Sequence, residues 1–284
     1  MSSPARHGEA AALLLPAAAV LIAVTLLPML YVLWMSLQDL SVFGPGRFSG
    51  LENYARLLGD ARFRNAFLNT AYFAAVSVAL ELILGLGIAV AIVHAGRARA
   101  LVYGVLLVPW AVPTVVSARM WEWMYDVELG VLNRLLGAQV NWLGDPFVAL
   151  NAAIAMDVWK STPFVALLLV AGLQGIPGDL YRAAALDGAG AWTTFRRVTL
   201  PLIAPVLAVA AMFRTIDALR VFDSIYVLTG GGPANGSETL SIYAYKVLFQ
   251  SLEFGYGAAI SVAVLLLTGG VTLVYARALR GGFE

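Results

Sequence analysis

Six apolar stretches, each close to or longer than a lipid hydrocarbon layer requires, leave this 284-residue chain few ways to fold. They fall at about Ala10–Leu37, Asn69–Val93, Leu101–Met124, Ala149–Leu173, Pro201–Val221 and Gly257–Ala278. A helix needs about 20 apolar residues to cross a bilayer. Inside lipid every backbone N–H and C=O must find a partner within the protein, so the choice lies between helices and a closed barrel. The runs are continuous rather than alternating, which selects helices. Charged residues are only 12% of the chain, against about a quarter in soluble domains. The expected fold is an all-α polytopic membrane bundle of about six transmembrane helices. It is read as one domain over 1–284, with its core at about 69–278.

Other features narrow the class. A net charge of +1 without a dense basic patch gives no footing for nucleic acid. The absence of cysteine removes disulfides and thiolate metal sites. The N-terminus, MSSPARHGEAAALLLP, starts like a signal peptide, but the apolar run continues to about Leu37. That is too long for a cleaved leader and reads as a retained first span. Pro109 and Pro113 should bend the third span, and proline should also bend the fifth.

Basic residues set the orientation. Placing both termini inside puts Arg6, Arg97, Arg99, Arg182, Arg196, Arg197, Arg277 and Arg280 in the cytoplasm. Arg47, Arg56, Arg62, Arg64, Arg119, Arg134 and Lys246 are then outside, spread over nearly twice the length. The positive-inside rule favours this arrangement. The longer loops, about 38–68, 125–148 and 222–256, face outward.

Between the fourth and fifth runs lies a polar island, Tyr181–Pro201, YRAAALDGAGAWTTFRRVTLP. Asp179 is placed to cap a short helix over about Leu180–Asp187, and Gly188 suits its stop. A second helical piece would carry Trp192, Phe195 and Val198 on one face, with Pro201 starting the next span. Two readings remain open for these residues. The island is either a docking device or a surface loop with Trp192 and Phe195 in the headgroups.

The spacing of this island resembles the cytoplasmic motif of ABC-importer permeases: Glu-Ala-Ala, three residues, Gly, nine residues, Ile, one residue, Leu-Pro. Here Arg182-Ala183-Ala184 is followed by Ala185, Leu186, Asp187 and Gly188, and then, nine residues on, by Val198, Thr199, Leu200 and Pro201. The flanking Asp187-Gly188-Ala189 looks like the carbohydrate branch of maltose, glycerol-3-phosphate and trehalose type. So does Asp217–Asp223 leading into Tyr226–Pro233 and Phe254-Gly255-Tyr256-Gly257. The resemblance covers all six spans in layout and residues 175–260 in motif detail. It implies a type I importer permease fold and a coupling segment at about 179–200. Arg182, Ala183, Ala184, Asp187, Gly188, Ala189, Phe195, Leu200 and Pro201 would dock an ATPase. The motif's usual glutamate is Arg182, which calls for an acid in the partner or a shifted contact.

Ionisable groups within the spans are costly, at least ~2.5 kcal/mol each on insertion scales. They are Glu81, Asp157, Lys160, Arg214, Asp217 and Arg220. Asp157 with Lys160, Arg214 with Asp217, and Asp217 with Arg220 sit three apart and could pair. Such groups either hold the bundle together or line a hydrophilic cavity. The resemblance of DVWKSTPF (Asp157–Phe164) to a sugar-lining stretch implies that Asp157, Ser161 and Phe164 face the path, and Asp217 matches a polar lining position in the fifth span; Lys160 and Arg220, charged within the spans, are set on the path with them. Phe164 or Trp159 would stack on a sugar face. Glu81 is read as structural, and Trp121-Glu122-Trp123 as an interfacial belt.

Catalytic chemistry finds no home in this pattern. No GxxxxGK[ST] loop exists, Gly230-Gly231-Gly232 reads as a turn, and His7 and His94 lack carboxylates at ligand spacing. The expectation is a non-catalytic permease without a cofactor or metal of its own, ATP and Mg²⁺ being bound by a partner ATPase. By the resemblance, its other partners are a second, non-identical permease, an extracytoplasmic sugar-binding protein, the sugar and membrane lipid. Its place is the inner (plasma) membrane of a prokaryote, as a multi-pass protein. A self-sufficient carrier or channel using Asp157, Lys160 and Asp217 is the competing reading. A membrane scaffold, or an importer for an amino acid or phosphate ester, stands behind it.

Overall fold

The computed structural model describes residues 15–42 and 44–281, which group into two compact units. One contains the described residues up to Asp60 together with Tyr243–Leu265. The other contains Ala61–Ile242 and the described residues from Leu266 onward. Five helices are long and apolar enough to span a membrane, and a further bent pair of helices meets the same test when taken together.

In the first unit, helix α1 (Leu15–Ser36) covers the described part of the first expected span; Ala10–Leu14 lie outside the described residues, as do Arg6 and His7. The loop expected after it is instead ordered. Strands β1 (Gln38–Ser41) and β2 (Gly44–Phe48) form an antiparallel hairpin, pairing Gln38 with Phe48 and Asp39 with Arg47. This two-stranded addition to an all-α expectation is held by α2 (Glu52–Gly59). Asn53 Nδ2 donates to the carbonyls of Ser36 (2.9 Å) and Gln38 (2.8 Å), and Arg47 links Asp39 to Glu52. In the same unit Asp60 accepts from the Tyr243 and Tyr256 phenols, while Arg56 lies 3.8 Å over the Tyr256 ring and pairs with Glu253. The pairing with Glu253 holds the Arg56 guanidinium above its ordinary pKa.

In the second unit, α3 (Ala61–His94) begins well before the expected Asn69. Its polar first turns are satisfied: Arg62 pairs with the buried Glu238, and Asn65 and Asn69 donate to carbonyls of Asn235, Gly236 and Glu238. With these partners the helix does not need lipid to persist, and it reaches about 50 Å at 1.5 Å per residue. The third apolar run forms α4 (Arg99–Ala111) and α5 (Thr114–Met124), bent by 93°. The break falls at Val112 and Pro113, whereas Pro109 stays within α4. Proline removes an N–H and forces its predecessor out of helical backbone, as the Val112 ψ of 133° records.

After α6 (Val131–Leu136), α7 (Pro146–Gln174) starts with Pro146 in its first turn. The Asp145 carboxylate caps it, accepting from Phe147 N and Val148 N at 3.0 Å each. α8 (Gly178–Leu186) follows, then α9 (Ala191–Ala218), α10 (Asp223–Leu228), α11 (Leu240–Tyr245) and α12 (Phe254–Gly281). Contrary to expectation, Pro201 does not start a new helix. Its missing N–H falls just after a π turn at Phe195–Thr199, which re-registers the ladder and lets α9 run through. The triglycine turn is as expected, with Gly230 and Gly231 at positive φ and Gly232 N donating to Thr229 O.

α3 packs along α7, α9 and α4. Gly85 lets α3 and α7 touch: a Cβ there would sit 2.6 Å from Val165 Cγ1. Two apolar cores result. One centres on Phe73, Val78, Ile154 and Met156, the other on Ala89, Val165, Leu169 and Ile203. On α3 and α7 the two cores are separated by the only carboxylates in these stretches, Glu81 and Asp157.

Candidate functional site

Arg214 of α9 is the hub of the site. Its Nε and Nη2 donate to both Glu81 oxygens at 2.5 and 2.9 Å, Nη2 also reaches Asp157 Oδ2 at 3.0 Å, and Nη1 reaches Asp217 Oδ2 at 3.0 Å. Three membrane helices are thus joined by one guanidinium. Glu81 is fully buried and Arg214 nearly so, while the Asp217 side chain is 66% exposed. Buried charges persist only when paired and hydrogen-bonded, and this planar fork serves a carboxylate on each of its three nitrogens.

Sequence spacing found the Arg214–Asp217 pair but misplaced Lys160. Its Nζ donates to the carbonyls of Val112 (2.6 Å) and Trp110 (3.5 Å), and Asp157 turns to Arg214 instead. The break between α4 and α5 leaves those carbonyls without helical donors, and an ammonium is the natural cap for a helix C-terminus. Arg220 meets Asp217 through backbone only, its N–H donating to the Asp217 carbonyl. Here the chain leaves α9 and the i, i+3 geometry required for pairing ends.

Two adjoining cavities open at the hub. The larger, about 400 Å³, is lined by Trp110, Thr114, Asp157, Lys160, Ser161, Phe164, Arg214 and Asp217. The smaller, about 200 Å³, shares Thr114, Asp157, Arg214 and Asp217 and adds Arg220 through Ser224. All six residues expected on a path therefore gather at one place, with Arg220 on the smaller cavity. The ring beside Phe164 is Trp110, stacked at 6.2 Å and 19°. Trp159 instead packs edge-on to Trp121, which also contacts Tyr125, so of the expected belt Trp123 is the exposed ring. Sequence reasoning missed Trp110, Thr114 and the hub role of Arg214. Charge arithmetic could have found the last, since Glu81 and Asp157 on separate spans need a common cation.

The polar island Tyr181–Pro201 forms α8 and the first turns of α9. α8 has no buried residue, and Arg182, Ala183, Asp187 and Gly188 are exposed, with Ala184, Ala189, Phe195 and Leu200 half-buried and Pro201 exposed. Asp179 does not cap α8. Pro177 holds that position, and Asp179, inside the first turn, pairs with Arg182. Gly188 turns the chain at φ +72°, and the Tyr181 hydroxyl lies 3.2 Å from Thr199 Oγ1, tying α8 to α9. Trp192 stacks on Phe195 at 5.7 Å and, with Leu186, presents apolar surface outward. His94 Nδ1 lies 2.8 Å from Val90 O, and no group of three or more potential metal-ligating residues is found among the described residues.

A long-helix bundle, a charged cavity between its spans and an exposed helical elbow together define a transport permease. Residues 83–279 match the family described as binding-protein-dependent transport system inner membrane component, and the chain belongs to that family. Among relatives it is 44% identical to the trehalose/maltose transport system permease protein MalF of Thermococcus litoralis, over 93% of this chain and 91% of that one. The trehalose transport system permease protein SugA of Mycobacterium tuberculosis is 39% identical over 93% and 86%. The sulfoquinovosyl glycerol transport system permease protein SmoG of Agrobacterium fabrum is 37% identical over 94% and 89%. In fold the chain matches a bacterial ABC transporter involved in alginate import, with a TM-score of 0.81, 22% identity and coverage of 97% and 96%. The resemblance read from residues 175–260 is thus borne out, as is the multi-pass inner-membrane class.

Proposed function

We propose that this chain is a non-catalytic permease subunit of an ATP-driven importer carrying a sugar, a disaccharide or small oligosaccharide, by alternating access. The carrying observation is the 400 Å³ cavity, where the stacked Trp110 and Phe164 rings stand beside Asp157, Asp217 and Ser161. Aromatic faces take the apolar side of a sugar ring, and carboxylates accept its hydroxyl protons. Relatives named for trehalose and maltose transport support the same solute class. Both termini are assigned to the cytoplasm. Asp157, Lys160, Ser161, Phe164, Asp217 and Arg220 are assigned to the path. Lys160 acts there by holding the α4–α5 break.

Coupling is assigned to Tyr181–Pro201, with Arg182, Ala183, Ala184, Asp187, Gly188, Ala189, Phe195, Leu200 and Pro201 meeting a separate ATPase dimer that binds ATP and Mg²⁺. A second, non-identical permease completes the path, and a sugar-binding protein delivers solute to the outer loops. Gly188→Pro tests this reading. Proline fixes φ near −65° and cannot adopt the +72° of this turn. The variant should insert and co-purify as a permease but lose sugar-stimulated ATP hydrolysis. Normal stimulated turnover would refute the docking assignment. Isolation of the native chain as a homo-oligomer that transports without ATP would favour a self-sufficient carrier.

A further inference from the structure

We infer that Asp217 is a charge filter on the path, admitting uncharged sugars and turning away anionic ones; this rests on the sugar reading above. The larger cavity carries two cations, and both are engaged within the protein. Arg214 spends Nε, Nη1 and Nη2 on Glu81, Asp157 and Asp217. Lys160 is turned to the Trp110 and Val112 carbonyls. Glu81, Asp157 and Asp217 are the carboxylates around these cations, and Glu81 and Asp157 are buried against Arg214.

Asp217 is the exposed member of that set, at 66% against 14% for Asp157 and 0% for Glu81. It lies on both cavities and covers the Nη1 edge of Arg214. The carboxylate therefore does two things at one position. It offers a free acceptor to a sugar hydroxyl, and it blocks the cavity-facing edge of the guanidinium that would otherwise bind a solute carboxylate or sulfonate. Arg220, exposed on the smaller cavity, has Asp223 beside it on the same wall, so that cavity adds no excess positive charge.

The test compares two sugars of the same size, maltose and its carboxylate analogue maltobionate, on the intact importer in lipid nanodiscs. Binding of labelled maltose is measured without the soluble binding protein, so that only the membrane site selects, and maltobionate serves as competitor. The native protein should prefer maltose. Asp217→Asn should shift the maltobionate-to-maltose affinity ratio toward the anion by about tenfold. That is the effect of removing one charge about 6 Å away at an effective dielectric near ~40. Asp217→Glu, which keeps the charge, should hold the native ratio; a purely structural role would not move the ratio at all. An unchanged ratio in Asp217→Asn would overturn the filter. Equal native affinity for both sugars would also overturn it. Intact native importer that binds neither sugar would overturn the sugar reading and this proposal with it.

Discussion

Replacing Arg214 with methionine should be among the most damaging single changes available to this chain. The side chain is 7% exposed and makes two hydrogen bonds to a fully buried Glu81 and one to Asp157. Its loss strands two carboxylates between apolar cores, and breaking a buried ion pair from one side costs about 3–5 kcal/mol. Glu81→Met is milder, since Arg214 keeps Asp157 and Asp217; losing a charged hydrogen-bonded partner costs about 1.5–3 kcal/mol. The double variant removes both ends of the tightest pair. It should lie near the Arg214→Met value rather than at the sum, leaving a coupling of about 1.5–3 kcal/mol. Reversible unfolding in mixed detergent–SDS micelles, followed by the fluorescence of the 7 tryptophans, measures all three variants. Costs that add to within about 0.5 kcal/mol would show that the two residues act independently and would refute the hub.

Three further outcomes are expected. Gly85→Val should push α3 from α7 and cost about 1–3 kcal/mol or more in the same unfolding assay, with partial rescue by Val165→Ala, because the clash is with that side chain. Lys160→Met should leave the Val112 and Trp110 carbonyls unpaired and cost about 1–3 kcal/mol, whereas Lys160→Arg should recover most of it; equal losses would show that no cation is needed there. Asn133→Ala should loosen residues 127–142, because its amide joins the Val127 and Val140 carbonyls, Val140 N and Trp142 Nε1. Limited proteolysis should then cut within that loop first.

The spans were legible because lipid demands long uninterrupted apolar runs, and the island because its charges interrupt them. The hairpin was not. Gln38–Ser41 and Gly44–Phe48 are too short to show a two-residue period, and their stability comes from Asn53, outside both strands. Pairs three residues apart on one helix could be read locally, as with Arg214 and Asp217. The bond from Arg214 to Glu81 spans 133 positions and exists only once α3 and α9 are packed. Lys160 was misread for the same reason. Its partner is a backbone break 48 residues earlier, and a carbonyl leaves no mark in a sequence. The run through Pro201 was hidden as well, since nothing in FRRVT announces a π turn.

The continuity of α9 gives the molecule a mechanical radius. From Thr199, at the foot of the island, to Asp217 is one continuous helix of 18 rises, about 27 Å, with Pro205 inside it. Tilting such a helix by about 10° around its Thr199 end would carry Asp217 nearly 5 Å sideways, about the width of a sugar ring, without breaking any of its helical bonds. A small rotation at the island would by this lever become a displacement of the size needed to move a cavity wall.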